Sequence, residues 1–212
     1  DSKNLNPQVI ELHKKLKEIV NSLGGEVILI NDDRDYPGEA ESYVLLYEFR
    51  VGLEEYLKNA NSSMKKLTDI IDFNNANKDI VMPYFGQNIF YNSIESTSYL
   101  KYIWSKYKIY NSYKSTKDLI HKYDLDAFIG LTRGPAWKIN YDGGDYVAID
   151  SSLEFGSGGY AAHNGMPHIT IPYFEINKFP VGISIIGDRW TDKAIIGYAS
   201  AIEKSRYNLD TQ

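Results

Sequence analysis

A short glycine-rich segment, Phe155-Gly156-Ser157-Gly158-Gly159, places a serine in the kind of loop that can present a nucleophile. Backbone N–H groups in such a loop can stabilise an oxyanion. Ser151 and Ser152 precede the loop and could relay a proton, and Lys138 could act as a base if burial kept its amine neutral. The alternative, which we favour, is that Ser157 only shapes a loop or caps a helix.

Two further groups of residues have types that could bind metals. His163 and His168 are separated by Gly165 and Pro167, so they do not share one helix face, and structural or surface roles are favoured over a metal pair. The acidic run Asp32-Asp33-Arg34-Asp35 lacks the alternating oxygen ligands and the terminal glutamate of a calcium loop. We therefore interpret that run as a solvated turn.

Length and composition narrow the class of protein. The chain has 212 residues, 23 Lys and Arg against 28 Asp and Glu, a formal net charge of −5 and no cysteine. This length favours one unit spanning residues 1–212, and the acidic balance argues against a nucleic-acid partner. No apolar run approaches the roughly 18 residues of a membrane span. The compartment is not fixed by these features, and a cytoplasmic location is our working expectation.

The first half of the chain is predicted to be mainly helical. Apolar residues recur at helical spacing from Pro7 to Leu23, where Gly24-Gly25 supplies a stop. Glu26 to Ile30 (EVILI) has the continuous apolar character of a buried strand. A second helix is predicted from Glu39 to Lys58. The chain therefore opens with a helix that leads into a buried strand, as in the interior of an α/β protein.

One long or broken helix is predicted from about Ser96 to Tyr123. One of its faces carries the residues Tyr99, Ile103, Tyr107 and Tyr110. We interpret these residues as a half-buried aromatic stripe that packs on the sheet, with a ligand-stacking surface as the alternative.

Three strands are predicted in the last third. They are Asp126 to Leu131, His168 to Pro172 and Pro180 to Ile186, and a loop from Tyr173 joins the last two as an antiparallel pair. A final helix follows Thr191. The whole pattern predicts an α/β fold with a mixed β-sheet flanked by helices.

The segment from Gly159 to Glu203 resembles the C-terminal end of the amidase signature family. The family's pattern has a small-residue helix, a Gly-x-Pro, an apolar strand ending in Pro, and a Pro-Val-Gly strand before a closing helix. The matching pieces here are Ala161-Ala162, Gly165-Met166-Pro167, Ile169 to Pro172, Phe179-Pro180-Val181-Gly182 and Gly187.

The resemblance extends upstream over nearly the whole chain. The strand that ends in Thr132 is similar to the family's penultimate strand. Other segments are similar to the branch that holds peptide amidases, namely Gly134 to Lys138, Met82 to Gln87, Tyr47 to Phe49 and Leu53 to Leu57. The order and spacing of these segments imply the C-terminal part of the amidase signature fold.

The family's catalytic groups are two serines and a neutral lysine, all in its N-terminal half and tens of residues apart. Lys138, Ser151 and Ser157 lie much closer together, and Ser157 falls where the family has a non-catalytic turn. The resemblance therefore implies a C-terminal half without the catalytic triad and inactive alone. Its partner would be the missing N-terminal half.

The resemblance also implies a reaction and a place for the substrate. The longer enzyme would hydrolyse the C–N bond of a small or peptide carboxamide through a serine acyl-enzyme, without a metal or organic cofactor. Ligands of open α/β sheets gather at the carboxyl ends of strands, so we expect Thr132, Arg133 and Trp137 to face the substrate. Tyr47 is expected to contribute from its helix. The alternative for Trp137 is that it fills a gap in the core.

Two consequences follow for the isolated chain. The predicted strands Glu26–Ile30 and His168–Pro172 have too few partners here for a complete sheet, so we expect an exposed apolar face and possible self-association. The alternative function is a non-catalytic binding or scaffold module derived from the same fold.

Overall fold

A computed structural model describes residues 6–30, 36–144 and 155–209 of the chain, and these form two compact units. The first unit contains residues 6–30, 113–138 and 155–209, and the second contains residues 36–112 and 139–144. None of the described helices is long and apolar enough to cross a membrane. The prediction that residues 1–212 act as a single unit stays a prediction.

The first unit is built on an antiparallel three-stranded sheet. Its strands are β1 (Phe128–Leu131), β2 (His168–Ile176) and β3 (Phe179–Ile186), in the order β1-β3-β2. The three predicted strands are therefore present, and the α/β class with helices flanking a sheet is confirmed. The strand pairs are antiparallel.

The connection between β2 and β3 is shorter than the sequence predicted. Asn177 and Lys178 form a two-residue turn with φ values of 53° and 68°, as a type I′ hairpin requires. The predicted loop from Tyr173 is wrong because β2 continues past Pro172. Proline lacks an N–H but is tolerated on an edge strand, and a register shift between Pro172 and Phe174 absorbs the irregularity.

Two helices cover one face of the sheet. Helix α1 (Pro7–Ser22) begins as predicted, with the Asn6 side chain accepting a hydrogen bond from the Gln8 N–H at 2.9 Å. The C-terminal helix (Asp192–Leu209) is called α8 here. The two helices and the sheet share a core of buried side chains, which are Leu16, Ile171, Ile183, Ile185, Ile195, Ala199 and Ile202.

On the other face of the sheet, the described helices cover one end only. Helix α7 (Gly158–Asn164) packs there with the C-terminal part of helix α6 (Tyr99–Tyr123), which belongs to the first unit from Tyr113 onward. Their side chains contact Phe128 and Ile186 of the sheet.

The segment Glu26–Ile30 is not a strand, so that prediction is wrong. Its residues make no sheet pairing, and Leu29 is 92% exposed. An apolar run predicts burial but does not supply the partner that would bury it. The adjoining acidic run, Asp32 to Asp35, lies outside the described residues.

The second unit consists of helices. The unit contains α2 (Gly38–Asn59), α3 (Leu67–Ala76), α4 (Lys78–Val81), α5 (Asn88–Glu95) and the N-terminal part of α6. The predicted aromatic stripe on α6 is exposed rather than half-buried, because Tyr99, Ile103, Tyr107 and Tyr110 each remain at least 45% exposed.

The motif Met82–Gln87 ends in a buried glutamine with a structural role. The Gln87 amide donates to Ile71 O at 3.2 Å and to Asn75 Oδ1 at 2.9 Å, and its oxygen accepts from Asn74 Nδ2 at 2.9 Å. These bonds join the chain just before α5 to α3 and satisfy a side chain that is only 7% exposed.

Candidate functional site

In the first unit, the end of the sheet face that the described helices leave uncovered carries small and polar side chains. Alternate residues of each strand point to one face, and the pairing register aligns Gly130, Ser184 and Thr170 across the three strands. Thr132 and Gly182 form the next row along. This face is therefore polar where the opposite face, beneath α1 and α8, is aliphatic.

Three side chains on this face form a continuous hydrogen-bonded row. His168 Nε2 lies 2.7 Å from Ser184 Oγ, and Ser184 Oγ donates to Thr132 Oγ1 at 2.8 Å. The Thr170 hydroxyl lies 3.2 Å from the same imidazole nitrogen. Ser184 is 0% exposed, whereas His168 and Thr170 are exposed and Thr132 is half-buried. We call His168, Ser184 and Thr132 the polar row.

Gly182 allows the polar row to close. A Cβ atom at this position would lie 2.7 Å from Thr170 Cγ2 and 2.8 Å from Thr132 Oγ1. Such separations are far below van der Waals contact. A glycine is therefore needed here for the two threonines to approach each other across β3.

Backbone hydrogen bonds hold the loop after β1 on two sides, to β3 and to residues 155–157. The Thr132 N–H donates to Gly182 O at 2.8 Å, and Thr132 O accepts from the Ser157 N–H at 3.2 Å. Gly134 N–H donates to Phe155 O at 3.0 Å, and a Cβ on Gly156 would lie 2.7 Å from Thr132 O. The loop is therefore fixed by the polypeptide on each side of it.

Arg133 and Trp137 project from this fixed loop and contact each other. The Arg133 guanidinium carbon lies 5.0 Å from the centroid of the Trp137 ring, within the range of a cation–π interaction. Arg133 is exposed and Trp137 is half-buried. The structure thus brings together three of the four residues predicted to face the substrate, and their contact with a substrate stays a prediction.

The fourth predicted residue, Tyr47, belongs to the second unit. Its ring stacks on Tyr102 with centroids 4.4 Å apart, and the Arg50 guanidinium lies 5.5 Å from its centroid. These contacts tie α2 to α6 within that unit. A role for Tyr47 in substrate binding also stays a prediction.

Ser157, the candidate nucleophile of the glycine-rich loop, is hydrogen-bonded to the backbone. Ser157 Oγ donates to Leu131 O at 3.0 Å, which commits its proton to a carbonyl group. Lys138 is exposed, so it does not lie in the buried pocket that a lysine base would need. Ser151 and Ser152, which were considered as a proton relay, lie outside the described residues.

The two histidines considered for metal binding are engaged with protein groups. His163 is buried and its Nδ1 donates to Gly159 O at 2.7 Å, while His168 contacts Ser184. Within the described ranges, no group of three or more His, Asp or Glu residues is arranged to hold a metal ion.

Acidification is expected to destabilise the chain through two histidines. Burial lowers the pKa of His13 and of His168 below the ordinary value of 6.5. The unfolded chain therefore binds protons more readily than the folded chain, so the free energy of unfolding should fall as the pH drops from 7.5 to 5.5. Urea denaturation at the two pH values measures this fall. The double variant His13→Gln/His168→Gln should show less of it, and an equal or larger fall in that variant would contradict the assignment.

Sequence reasoning missed Ser184 and the use of His168. The available signal was the alternation His168-x-Thr170 in β2 and Gly182-x-Ser184 in β3, which places polar and small residues on one face of a hairpin once Thr170 is paired with Ser184. To use this signal one needs the pairing register of β2 against β3. The loop predicted to start at Tyr173 was too long, so it gave no correct register.

Comparison with solved structures identifies the fold. A peptide amidase from Stenotrophomonas maltophilia matches 96% of this chain with a TM-score of 0.81 and 25% identity. An amidase family protein from Bacillus anthracis gives a TM-score of 0.67 at 20% identity, over 93% of this chain and 35% of that chain. A bacterial aryl acylamidase of the amidase signature enzymes gives 0.66 at 15% identity, over 95% of this chain and 41% of that chain.

The structural match covers only part of the peptide amidase. This chain covers 41% of the length of the peptide amidase. No protein-family model and no curated protein matches its sequence. The resemblance expected from the sequence motifs is nevertheless confirmed at the level of structure: this chain has the fold of the C-terminal part of the amidase signature enzymes.

Proposed function

We propose that this chain is the C-terminal portion of an amidase that hydrolyses carboxamides through a serine acyl-enzyme. The observation that carries the proposal is the match to a peptide amidase over 96% of the chain with a TM-score of 0.81. Amide hydrolysis is also the reaction class that the names of the other two solved structures share.

The groups in this chain suit substrate binding rather than bond cleavage. The polar row and the Arg133–Trp137 pair supply hydrogen-bonding groups and an aromatic wall, which serve binding and orientation. A nucleophile needs a base within hydrogen-bond reach, and the Ser157 proton is instead committed to Leu131 O. We therefore assign the nucleophile and the base to a part of the longer amidase that lies outside this chain.

The exposed apolar side chains fit the same proposal. Leu29 and Trp190 are 92% and 94% exposed, respectively, so nearly all of their apolar surface is open to a partner. We infer that the remaining part of the amidase covers them. Self-association of the isolated chain through these side chains stays a prediction that light scattering can check.

The isolated chain is expected to release no ammonia from simple carboxamides or C-terminally amidated peptides. The Ser157 proton is committed to Leu131 O, and Ser184, which lies 2.7 Å from His168 Nε2, is 0% exposed and donates its proton to Thr132 Oγ1. Turnover should therefore stay at the uncatalysed rate in both the chain and its Ser157→Ala variant. A coupled ammonia assay measures this. Turnover that Ser157→Ala abolishes would show a self-sufficient hydrolase and overturn the proposal, whereas saturable amide binding without turnover in the complete gene product would favour the scaffold alternative.

Trp137→Ala in the longer enzyme is expected to change substrate preference rather than stability. A pocket wall built from a half-buried ring should alter the ratio of kcat/KM values for aromatic and small amides by about tenfold. Thermal denaturation provides the control. A loss of thermal stability with an unchanged ratio would assign Trp137 to the core instead.

A further inference from the structure

The outward side of α6 in the second unit is formed by large apolar and aromatic side chains. Each of them is at least 45% exposed. At about 100° per residue they cover about 140° of the helix circumference, and no charged residue of this part of α6 lies among them. The rings of Trp104 and Tyr107 stack within this set, with their centroids 5.4 Å apart. We call the set the aromatic face, and its members are Tyr99, Leu100, Ile103, Trp104, Tyr107 and Tyr110.

Contacts with α2 hold the aromatic face outward. The Tyr102 ring stacks on Tyr47, and the Tyr102 hydroxyl donates to Glu48 Oε1 at 2.7 Å. Just before the helix begins, the Ser98 N–H donates to the Tyr43 hydroxyl at 2.9 Å. Tyr102 lies on the side of α6 away from the centre of the aromatic face. The helix therefore cannot turn that face toward α2 without breaking these contacts.

Lysines border the aromatic face on both sides. Helical spacing places Lys106 along one edge of the face and Lys101 and Lys108 along the other. Residues 99–112 include no Asp or Glu, so this part of α6 carries three positive charges and no negative one. Lys106 is paired with Glu48 of α2 at 3.6 Å. The border is therefore locally positive, although the formal net charge of the chain is −5.

Two of the bordering lysines have no carboxylate partner among the residues that the structure describes. Lys108 is exposed, and no ion pair involves it there. Lys101 lines a groove together with Glu39 and Glu95, but neither carboxylate pairs with it. The Lys101 ammonium lies instead 4.3 Å from the centroid of the Tyr43 ring. Both charges can therefore reach an anionic partner beside the aromatic face.

We propose that the aromatic face binds the surface of a membrane that contains anionic phospholipid, with this part of α6 lying in the plane of the interface. Trp and Tyr are the side chains that favour the boundary between lipid headgroups and acyl chains. A helix whose apolar face is bordered by lysines is typical of interfacial binding. The stems of Lys101 and Lys108 lie along the apolar surface and place their ammonium groups among the lipid phosphates.

Two other occupants fit the aromatic face less well. A second copy of the chain would bring the same lysine border to the contact, so like charges would meet. A single-stranded nucleic acid would stack its bases on the rings, but Leu100 and Ile103 present no ring. Leu100 is the most exposed member of the face, and an aliphatic side chain at that place suits acyl chains.

Vesicle sedimentation tests the proposal on the chain of 212 residues and on the polypeptide that the complete reading frame encodes. The probes are vesicles of phosphatidylcholine alone and vesicles with about 30% phosphatidylserine, at about 0.1 M and about 0.5 M NaCl. At the lower salt we expect both polypeptides to bind the anionic vesicles about tenfold more tightly than the neutral ones, and the higher salt should remove most of this difference. Equal binding to the two kinds of vesicle, or binding to neither, would overturn the proposal.

A matched pair of leucines tests the apolar part of the contact. Leu100→Ser removes an 81% exposed side chain from the aromatic face and is expected to weaken binding to the anionic vesicles about tenfold. Leu45→Ser is the control, because Leu45 is 63% exposed on α2 of the same unit but lies outside the aromatic face. It should leave binding unchanged. Equal losses in the two variants, or no loss in Leu100→Ser, would contradict the proposal.

A matched pair of double variants tests the electrostatic part. Lys101→Gln/Lys108→Gln is expected to abolish the preference for anionic vesicles, because it removes the two unpaired charges beside the aromatic face. Lys65→Gln/Lys78→Gln alters two exposed lysines elsewhere in the second unit and changes the net charge by the same amount. This control should keep the preference. A preference that survives in the first variant, or is lost equally in both, would overturn the proposal.

The complete product decides between a membrane and the remaining part of the amidase as the partner of this face. Binding by the chain of 212 residues but not by the complete product would show that the rest of the enzyme covers the aromatic face, and it would overturn the proposal. Tighter binding to a single-stranded oligonucleotide than to anionic vesicles, or a dimer that excludes vesicles, would also overturn it. The measurement does not depend on hydrolysis, so a complete product that binds vesicles without amide turnover would overturn the amidase function and keep the membrane site.

Discussion

Replacing Ile183 by alanine is expected to lower the free energy of unfolding of the chain by about 2–5 kcal/mol. Ile183 lies on β3, the central strand, and is 0% exposed. Its side chain packs in the core that α1 and α8 form with the sheet, among residues that include Leu16 and Ile195. Removing buried methyl groups from this position costs their transfer free energy and leaves a cavity that packed helices cannot fill.

Urea denaturation measures the loss, and two variants calibrate it. Ile183→Val should cost about 0.5–1.5 kcal/mol, because it removes one methylene. Ile196→Ala provides the matched control, since Ile196 lies on α8 and is 58% exposed, and a surface substitution should change stability by less than about 0.5 kcal/mol. Similar losses in Ile183→Ala and Ile196→Ala would contradict the assignment of β3 to the centre of the core.

Gly187→Ala is the second substitution with a large expected effect, a loss of about 1–3 kcal/mol. Gly187 follows β3, and its N–H donates to Pro167 O at 3.1 Å. An added Cβ would overlap Thr191 Oγ1 and lie 2.7 Å from Ile195 Cγ2. Neither neighbour can yield easily, because Thr191 is bonded to Asp188 O and Ile195 is buried.

Gly197→Ala is the control for that substitution. Gly197 lies in α8, and its added Cβ would meet nothing within 4 Å. Alanine is favoured over glycine within a helix, so stability should rise by about 0.5–1 kcal/mol. Thermal denaturation of both variants measures the opposite signs. A loss in Gly197→Ala, or no loss in Gly187→Ala, would contradict the packing at the end of β3.

The elements that the sequence predicted well are those specified by local interactions. Helix α1 begins at an Asn-Pro pair and ends before Gly24, whose φ of +86° suits glycine, and both signals are local. Glu26–Ile30 failed because an apolar run does not identify the surface that buries it. The exposed stripe of α6 failed for the same reason, since the helical period indicates a face but not its partner.

The candidate site was predictable to the same extent. Thr132, Arg133 and Trp137 are close in sequence after a strand, so their position alone indicated a place at its carboxyl end. Ser184 and His168 join Thr132 only through the pairing of three strands. That register depends on the turn at Asn177-Lys178. The turn was not predicted, because Pro172 was taken as the end of β2.

The measurement that tests the central claim most directly is ammonia release by the polypeptide that the complete reading frame encodes. C-terminally amidated peptides are the substrates, and the chain of 212 residues is assayed beside it. The account predicts saturable turnover that depends on a lysine and serines upstream of this chain, and none from the chain alone. A complete product without turnover, or a reading frame that supplies no such residues, would contradict it.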